Sequence, residues 1–233
     1  MKRISRSVVR VIAVAVFTVW GVAASASGGA DISADQALQK LLEGNKRFVD
    51  NQMTACGLSS TPAREALAKG QKPYAIILSC SDSRVPPEII FDKSLGEIFV
   101  VRVAGNVPDP IVLGSIEYAA EHLGSPLIVV LGHERCGAVT AAVDAKGTPK
   151  GNIGAIIKAI APAVKRARIE AAGKDKAALV ETAIDDNVRL VAENITKQSP
   201  VLHHLAKEGK LKIVAAKYDL DDGKVTLLEI KKH

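Results

Sequence analysis

Two apolar runs in this chain end in the same way. Tyr74-Ala75-Ile76-Ile77-Leu78 leads into Cys80-Ser81-Asp82-Ser83-Arg84, and Leu127-Ile128-Val129-Val130-Leu131 leads into Gly132-His133-Glu134-Arg135-Cys136-Gly137. Short, continuous apolar runs of this kind read as strands covered on both faces. The carboxyl ends of such strands are where open α/β sheets gather their ligands. The two ends deliver two thiols and an imidazole, with a carboxylate and a guanidinium two and four residues past the first thiol. Two Cys and one His leave one position of a tetrahedral zinc open, the catalytic pattern rather than the closed structural one. Thiolate and imidazole also suit zinc better than magnesium or calcium. Either cysteine alone would read as a buried structural thiol, and His133 alone as a satisfied core histidine. The triplet beside an Asp–Arg pair favours the metal. Asp82 has two roles open to it: fourth ligand closing the site, or partner of Arg84, held bidentately and kept ionised. Gly132 and Gly137 are expected to free the turn that lets His133 and Cys136 meet one ion.

The rest of the chain reads as alternating strands and helices. Ser33-Ala34-Asp35-Gln36 is a capping box, and Leu38, Leu41, Leu42, Phe48 and Val49 give the helix behind it an apolar stripe ending near Asn51. Thr61-Pro62 caps a second helix that stops at Gly70. Strands are expected at 74–79, 97–103, 126–131 and 211–217, the second apolar nearly throughout, as a strand covered on both faces would be. Pro86 and Pro87 start a short helix, and Asp109-Pro110 open one that closes at Gly124. Helices follow over 152–172, interrupted near Pro162, and over 176–198 behind Asp175; Ser199-Pro200 starts a last one. Asp222-Gly223 turns the chain into an antiparallel edge strand at 225–230. Strand–helix–strand order implies right-handed crossovers and a parallel sheet. The expected fold is therefore α/β: four parallel strands plus an antiparallel edge strand, flanked by helices.

The N-terminus reads as a separate element. Lys2, Arg3, Arg6 and Arg10 precede the apolar run from Val11 to Ala24, and Ala24-Ser25-Ala26 is a small-residue cleavage site, the pattern of a secretory signal peptide. The run is short for a span of about 20 residues, so the chain is expected to be exported, most simply to a bacterial periplasm, with no stable membrane anchor. Removing residues 1–26 from 233 leaves a 207-residue mature chain, 27–233, expected to be a single domain. The four basic residues leave with the signal, so the formal charge falls from +6 to +2, which is no nucleic-acid signature. Six scattered aromatics make no base-stacking platform. Cys56, before Gly57, reads as a thiol without function; His122, His203, His204 and His233 read as surface residues.

Cys-Ser-Asp-Ser-Arg followed by His-x-x-Cys-Gly resembles the β-class carbonic anhydrases, and the resemblance runs from Ser33 to the hairpin after Tyr218-Asp219-Leu220. It implies one zinc per subunit on Cys80, His133 and Cys136, with Asp82 and Arg84 as catalytic dyad. It implies reversible hydration of carbon dioxide to bicarbonate through zinc-bound hydroxide. It also implies a homodimer, or a higher homo-oligomer, whose first helix packs on the partner. Gln71 matches a glutamine that hydrogen-bonds substrate across the dimer interface; Phe99, Tyr118 and Ala104, where valine is usual, match the apolar substrate pocket, with Gly137 on the substrate side. A second, non-catalytic bicarbonate site found in one branch has Trp three residues before the first Cys; Ile77 stands there, while Arg102 and Tyr218 match its remainder. Two other readings remain: a carbonyl sulfide or carbon disulfide hydrolase on the same zinc, and a non-catalytic zinc-binding module.

Overall fold

The computed structural model describes residues 32–54, 60–147, 149 and 151–230. The expected signal peptide, Cys56 and His233 lie outside the described residues. The first helix, α1 (Ala34–Val49), starts on the expected capping box: Ser33 Oγ accepts from Gln36 N, and Gln36 Oε1 accepts from Ser33 N at 2.8 Å. The second, α2 (Thr61–Leu67), is capped one residue earlier than expected, by Ser60, whose hydroxyl accepts from Ala63 N. Next come β1 (Ala75–Ser79), the short α3 (Pro87–Ile90), β2 (Ile98–Arg102), α4 (Pro110–Glu117) and β3 (Leu127–His133). The carboxylate of Asp109 caps α4 by accepting from Ile111 N and Val112 N, and a wide helical turn, Tyr118–His122, carries α4 onward. Four helices and strands complete the chain's second half: α5 (Gly137–Asp144), α6 (Ile153–Glu170), α7 (Lys176–Gln198), α8 (Pro200–Lys207), then β4 (Lys212–Tyr218) and β5 (Val225–Leu228). Helix α6 runs unbroken through Pro162, which corrects the expected interruption.

The strands form one sheet in the order β2-β1-β3-β4-β5. The first four are parallel, and β5 is antiparallel to β4. Alternation of side chains across the pleat divides the interior. Ile77, Leu127, Val129 and Leu131 pack with α1, α5, α6 and the start of α7. Ile76, Leu78, Ile128 and Val130 pack with α4, α8 and the rest of α7. Each such fully buried side chain contributes about 1.5–3 kcal/mol.

Helix α1 turns Ala37, Leu41, Gly44 and Asn45 onto its own protomer's core; of the stripe read from the sequence, Leu41 is buried, and Leu38, Leu42, Phe48 and Val49 are partly exposed. Asn45 fixes it there, donating to the Ile90 and Gly223 carbonyls and accepting from Val225 N, so helix, α3 and hairpin are tied by one side chain. Strand β2 is apolar yet only half-buried within the protomer, with Arg102 exposed. It is the sheet's edge, which corrects the expected cover on both faces: among the described residues no strand pairs with its outer rim.

Candidate metal centre

Parallel pairing sets the site. Ser79 of β1 stands opposite Leu131 of β3, so Cys80 leaves its strand beside Gly132 and His133. His133 is the last residue of β3 rather than part of a following turn. The chain reverses at Arg135, whose φ is +49°, not at Gly132 or Gly137. Gly132 serves packing instead: a Cβ there would meet Val188 Cγ2 at 2.2 Å. Arg135 is held in the left-handed region by bonds from both sides. Its N–H donates to Glu181 Oε1 at 2.9 Å, and its guanidinium grips the Asp221 carboxylate, also at 2.9 Å. Cys136 then stands at the N-cap position of α5, without a side-chain capping bond, at the helix's positive end, which favours thiolate.

The ligand atoms of Cys80, His133 and Cys136 lie within 4.8 Å of one another, and all three residues are buried. Their sulfurs are 4.0 Å apart; two thiolates on a tetrahedral zinc, each at 2.3 Å, stand about 3.8 Å apart. His133 Nδ1 lies 2.8 Å from the Glu134 carbonyl, which assigns it the proton. Nε2 is buried without a hydrogen-bond partner, a lone pair left for a metal. These residues fit zinc. The Cys136 thiol beside Cys80 is the largest influence lowering the Cys80 pKa, with help from His133 and the Gly105 N–H. The same hydrogen bond and burial push Cys136 up.

Asp82 is half-buried, with Oδ2 3.9 Å from His133 Nε2. The Arg84 side chain holds its carboxylate at 2.9 and 2.7 Å, and the Arg84 backbone N–H adds a third bond at 3.0 Å. That hydrogen bonding keeps the Asp82 carboxyl well below the usual carboxylate range. Among the two roles open to Asp82, this geometry is the Arg84-paired one.

The remaining expected residues are distributed unevenly. Ala104 opens the turn after β2, and its neighbour Gly105 donates its N–H to Cys80 Sγ at 3.3 Å. Gly137 is the exposed first residue of α5, directly after Cys136. Phe99 and Tyr118 meet ring to ring at 6.3 Å, and Tyr118 is 48% exposed; they belong to the β2 flank, not the core. Gln71 is not brought to the centre. It lies exposed before the start of β1, at the strand's opposite end from Cys80. His122, His203 and His204 are exposed, as expected. Sequence reasoning missed Gly105, and also Asn187, which donates from α7 to the Gly105 carbonyl at 2.9 Å. The Ala-Gly-Asn after a third strand end was the available signal for the glycine; nothing local marks Asn187.

A parallel sheet whose adjacent strand ends hold a Cys–His–Cys group beside an Asp–Arg pair is the arrangement of β-class carbonic anhydrases. The family model described as "Carbonic anhydrase" matches residues 75–225, and the chain belongs to that family. It is 43% identical over 194 residues to Carbonic anhydrase 2 of Mycobacterium tuberculosis, covering 82% of this chain and 91% of that one. It is 39% identical over the same length to a carbonic anhydrase of Mycolicibacterium smegmatis, with the same coverage. Its fold superposes on a β-carbonic anhydrase of Aspergillus fumigatus with TM-score 0.70 and 26% identity, covering 85% and 92% of the two chains. A Coccomyxa β-carbonic anhydrase, solved with acetazolamide, gives TM-score 0.69 at 26% identity, covering 82% and 86%.

Gly105 generates a prediction. Its φ is +71°, and a Cβ would meet Ile160 Cδ1 at 2.7 Å and Ala138 Cβ at 3.3 Å. Gly105→Ala is expected to lower stability by about 1–3 kcal/mol, read from the urea midpoint, and to weaken zinc retention against a chelator by moving the N–H off Cys80.

Proposed function

We propose that this protein catalyses the reversible hydration of carbon dioxide to bicarbonate, with one zinc per subunit held by Cys80, His133 and Cys136. The observation that carries the reading is the buried, unpartnered His133 Nε2 facing two thiols, with an Arg-held carboxylate 3.9 Å away. Zinc bound there supplies a Lewis acid that brings the pKa of coordinated water to about 7. Arg84 keeps Asp82 ionised and oriented, and Asp82 offers the remaining acceptor capacity to the water's proton. The Phe99–Tyr118 flank and Ala104 offer apolar surface to an apolar, linear substrate. Stopped-flow hydration by zinc-loaded protein, well above the buffer rate, is the expected result; a rate equal to buffer would sink the proposal. Asp82→Asn is expected to lose activity at least a hundredfold while keeping zinc near one per chain.

The reading extends to a homodimer built on the β2 edge. Leu95, Ile111 and Tyr118 flank that edge and are 51%, 81% and 48% exposed, an apolar rim of the kind that marks an interface. Strand β1 puts at least its own length, about 17 Å, between Gln71 and the Cys80 of the same chain. Two β2 edges meeting antiparallel bring one copy's Gln71 end toward the other's Cys80 end. Gln71 then acts on the partner's substrate. Mixing Gln71→Ala chains with Cys136→Ala chains is expected to restore activity, because the mixed dimer holds one complete site. No gain on mixing would place Gln71 elsewhere.

The N-terminal pattern supports export, with residues 1–26 removed and the enzyme released outside the cytoplasm. Among the described residues no helix is long and apolar enough to cross a membrane. Protein recovered from the periplasmic fraction is expected to begin at or near Ser27; intact Met1 in the membrane pellet would overturn this.

A further inference from the structure

Arg102 is the last residue of β2 and stands opposite Ser79 in the parallel register. By sequence it matched part of a second bicarbonate site. Its donors are engaged elsewhere. Nε donates to the Cys80 carbonyl at 2.9 Å, and Nη2 donates to the Asp82 carbonyl at 2.6 Å. The other parts of an anion cradle are also taken up. Ile77 is fully buried in the core, and Tyr218 is buried with its ring 6.4 Å from that of Phe48.

We propose that Arg102 is a positioning residue: its guanidinium bridges the two carbonyls on either side of Ser81 and fixes the loop that carries both Cys80 and Asp82. This rests on the hydratase reading for its catalytic consequence, but not for its structural one. The Asp82 carbonyl also accepts from Val85 N at 3.1 Å, so Arg102 grips the closing bond of the same turn. With the Asp82 backbone held, its carboxylate has little freedom to leave Arg84 and approach the ligands. A planar fork with donors in fixed directions spans two carbonyls; a lysine ammonium, with its compact point charge, does not reproduce that bridge. The residue sits on the neighbouring strand, so β2 acts on the centre without supplying a ligand. Arg102 is exposed and takes no part in the buried core.

The test uses the full, zinc-loaded protein and the variants Arg102→Ala and Arg102→Lys. Both are expected to keep zinc near one per chain and a wild-type unfolding midpoint within a few degrees. Both are expected to lose at least tenfold in kcat/KM for hydration, with Lys no better than Ala. Amide exchange at Val85 is expected to rise at least tenfold in both, while β1 amides stay unchanged. Recovery of activity in Arg102→Lys would mean that charge alone matters and would overturn the bridge. So would unchanged Val85 exchange. A bicarbonate-binding event in wild type, separate from turnover and lost in Arg102→Ala, would restore the anion-site role and also overturn it. If Arg102→Ala does not fold, the proposal is overturned in favour of a purely structural role unless Arg102→Lys folds and gives the expected exchange and rate. A zinc-loaded wild type without hydration would remove the hydratase reading, and Val85 exchange would still decide the bridge.

Discussion

The centre depends on one constraint, the in-register parallel pairing of β1 and β3. Parallel neighbours lie about 4.8 Å apart and end on the same side of the sheet. With Ser79 opposite Leu131, Cys80 and His133 must emerge side by side, and three residues of reversal return Cys136 to the same point. A slip of one residue would send the alternating side chains to the opposite face. Ile76, Leu78, Ile128 and Val130 on one face, and Ile77, Val129 and Leu131 on the other, oppose such a slip, because both faces are packed. The hydrophobic core therefore specifies the positions of the Cys80, His133 and Cys136 side chains, the two cysteines being part of it.

Bringing two thiols together in a buried place carries an electrostatic cost, and the surroundings answer it with N–H groups. Gly105 N–H faces Cys80 Sγ, and the first amides of α5 face Cys136. Hydrogen bonds to the charged form lower a pKa, so these N–H groups offset part of the cost of placing charge on the sulfurs. The same logic explains Asn187. It holds the Gly105 carbonyl, which fixes the peptide whose N–H reaches the sulfur. Outer partners of this kind orient ligands and tune their basicity. Here one partner follows β2 and another comes from the middle of α7, so two stretches of chain besides its own position one sulfur.

The half-buried β2 edge gives the protomer an unfinished side. An apolar edge strand left open is a template for pairing with another chain, and a symmetric partner is the usual cover. The same edge carries Arg102 toward the Cys80–Asp82 loop and Phe99 toward Tyr118. The strand that faces outward is thus also the one whose end contacts the Cys80–Asp82 loop.

How much was legible before the structure differs by residue. The two strand-end motifs sufficed to name Cys80, His133, Cys136, Asp82 and Arg84, because ligand type and strand pattern are local. Capping chemistry placed the starts of α1, α4, α7 and α8, where Ser33, Asp109, Asp175 and Ser199 accept the helices' free N–H groups. Failures occurred where a residue's meaning depends on something distant in sequence. Gly132 looked like a hinge and is a packing gap against Val188, 56 positions away along the chain. Asn187, which holds the Gly105 carbonyl from α7, carries no local mark of that role. Sequence alone determined the chemistry of the centre, since thiolate, imidazole and carboxylate carry it wherever they stand. Only the tertiary structure decided which backbone groups and side chains hold those residues in place, because hydrogen bonds between strands and helices far apart in sequence leave no periodic mark on the chain.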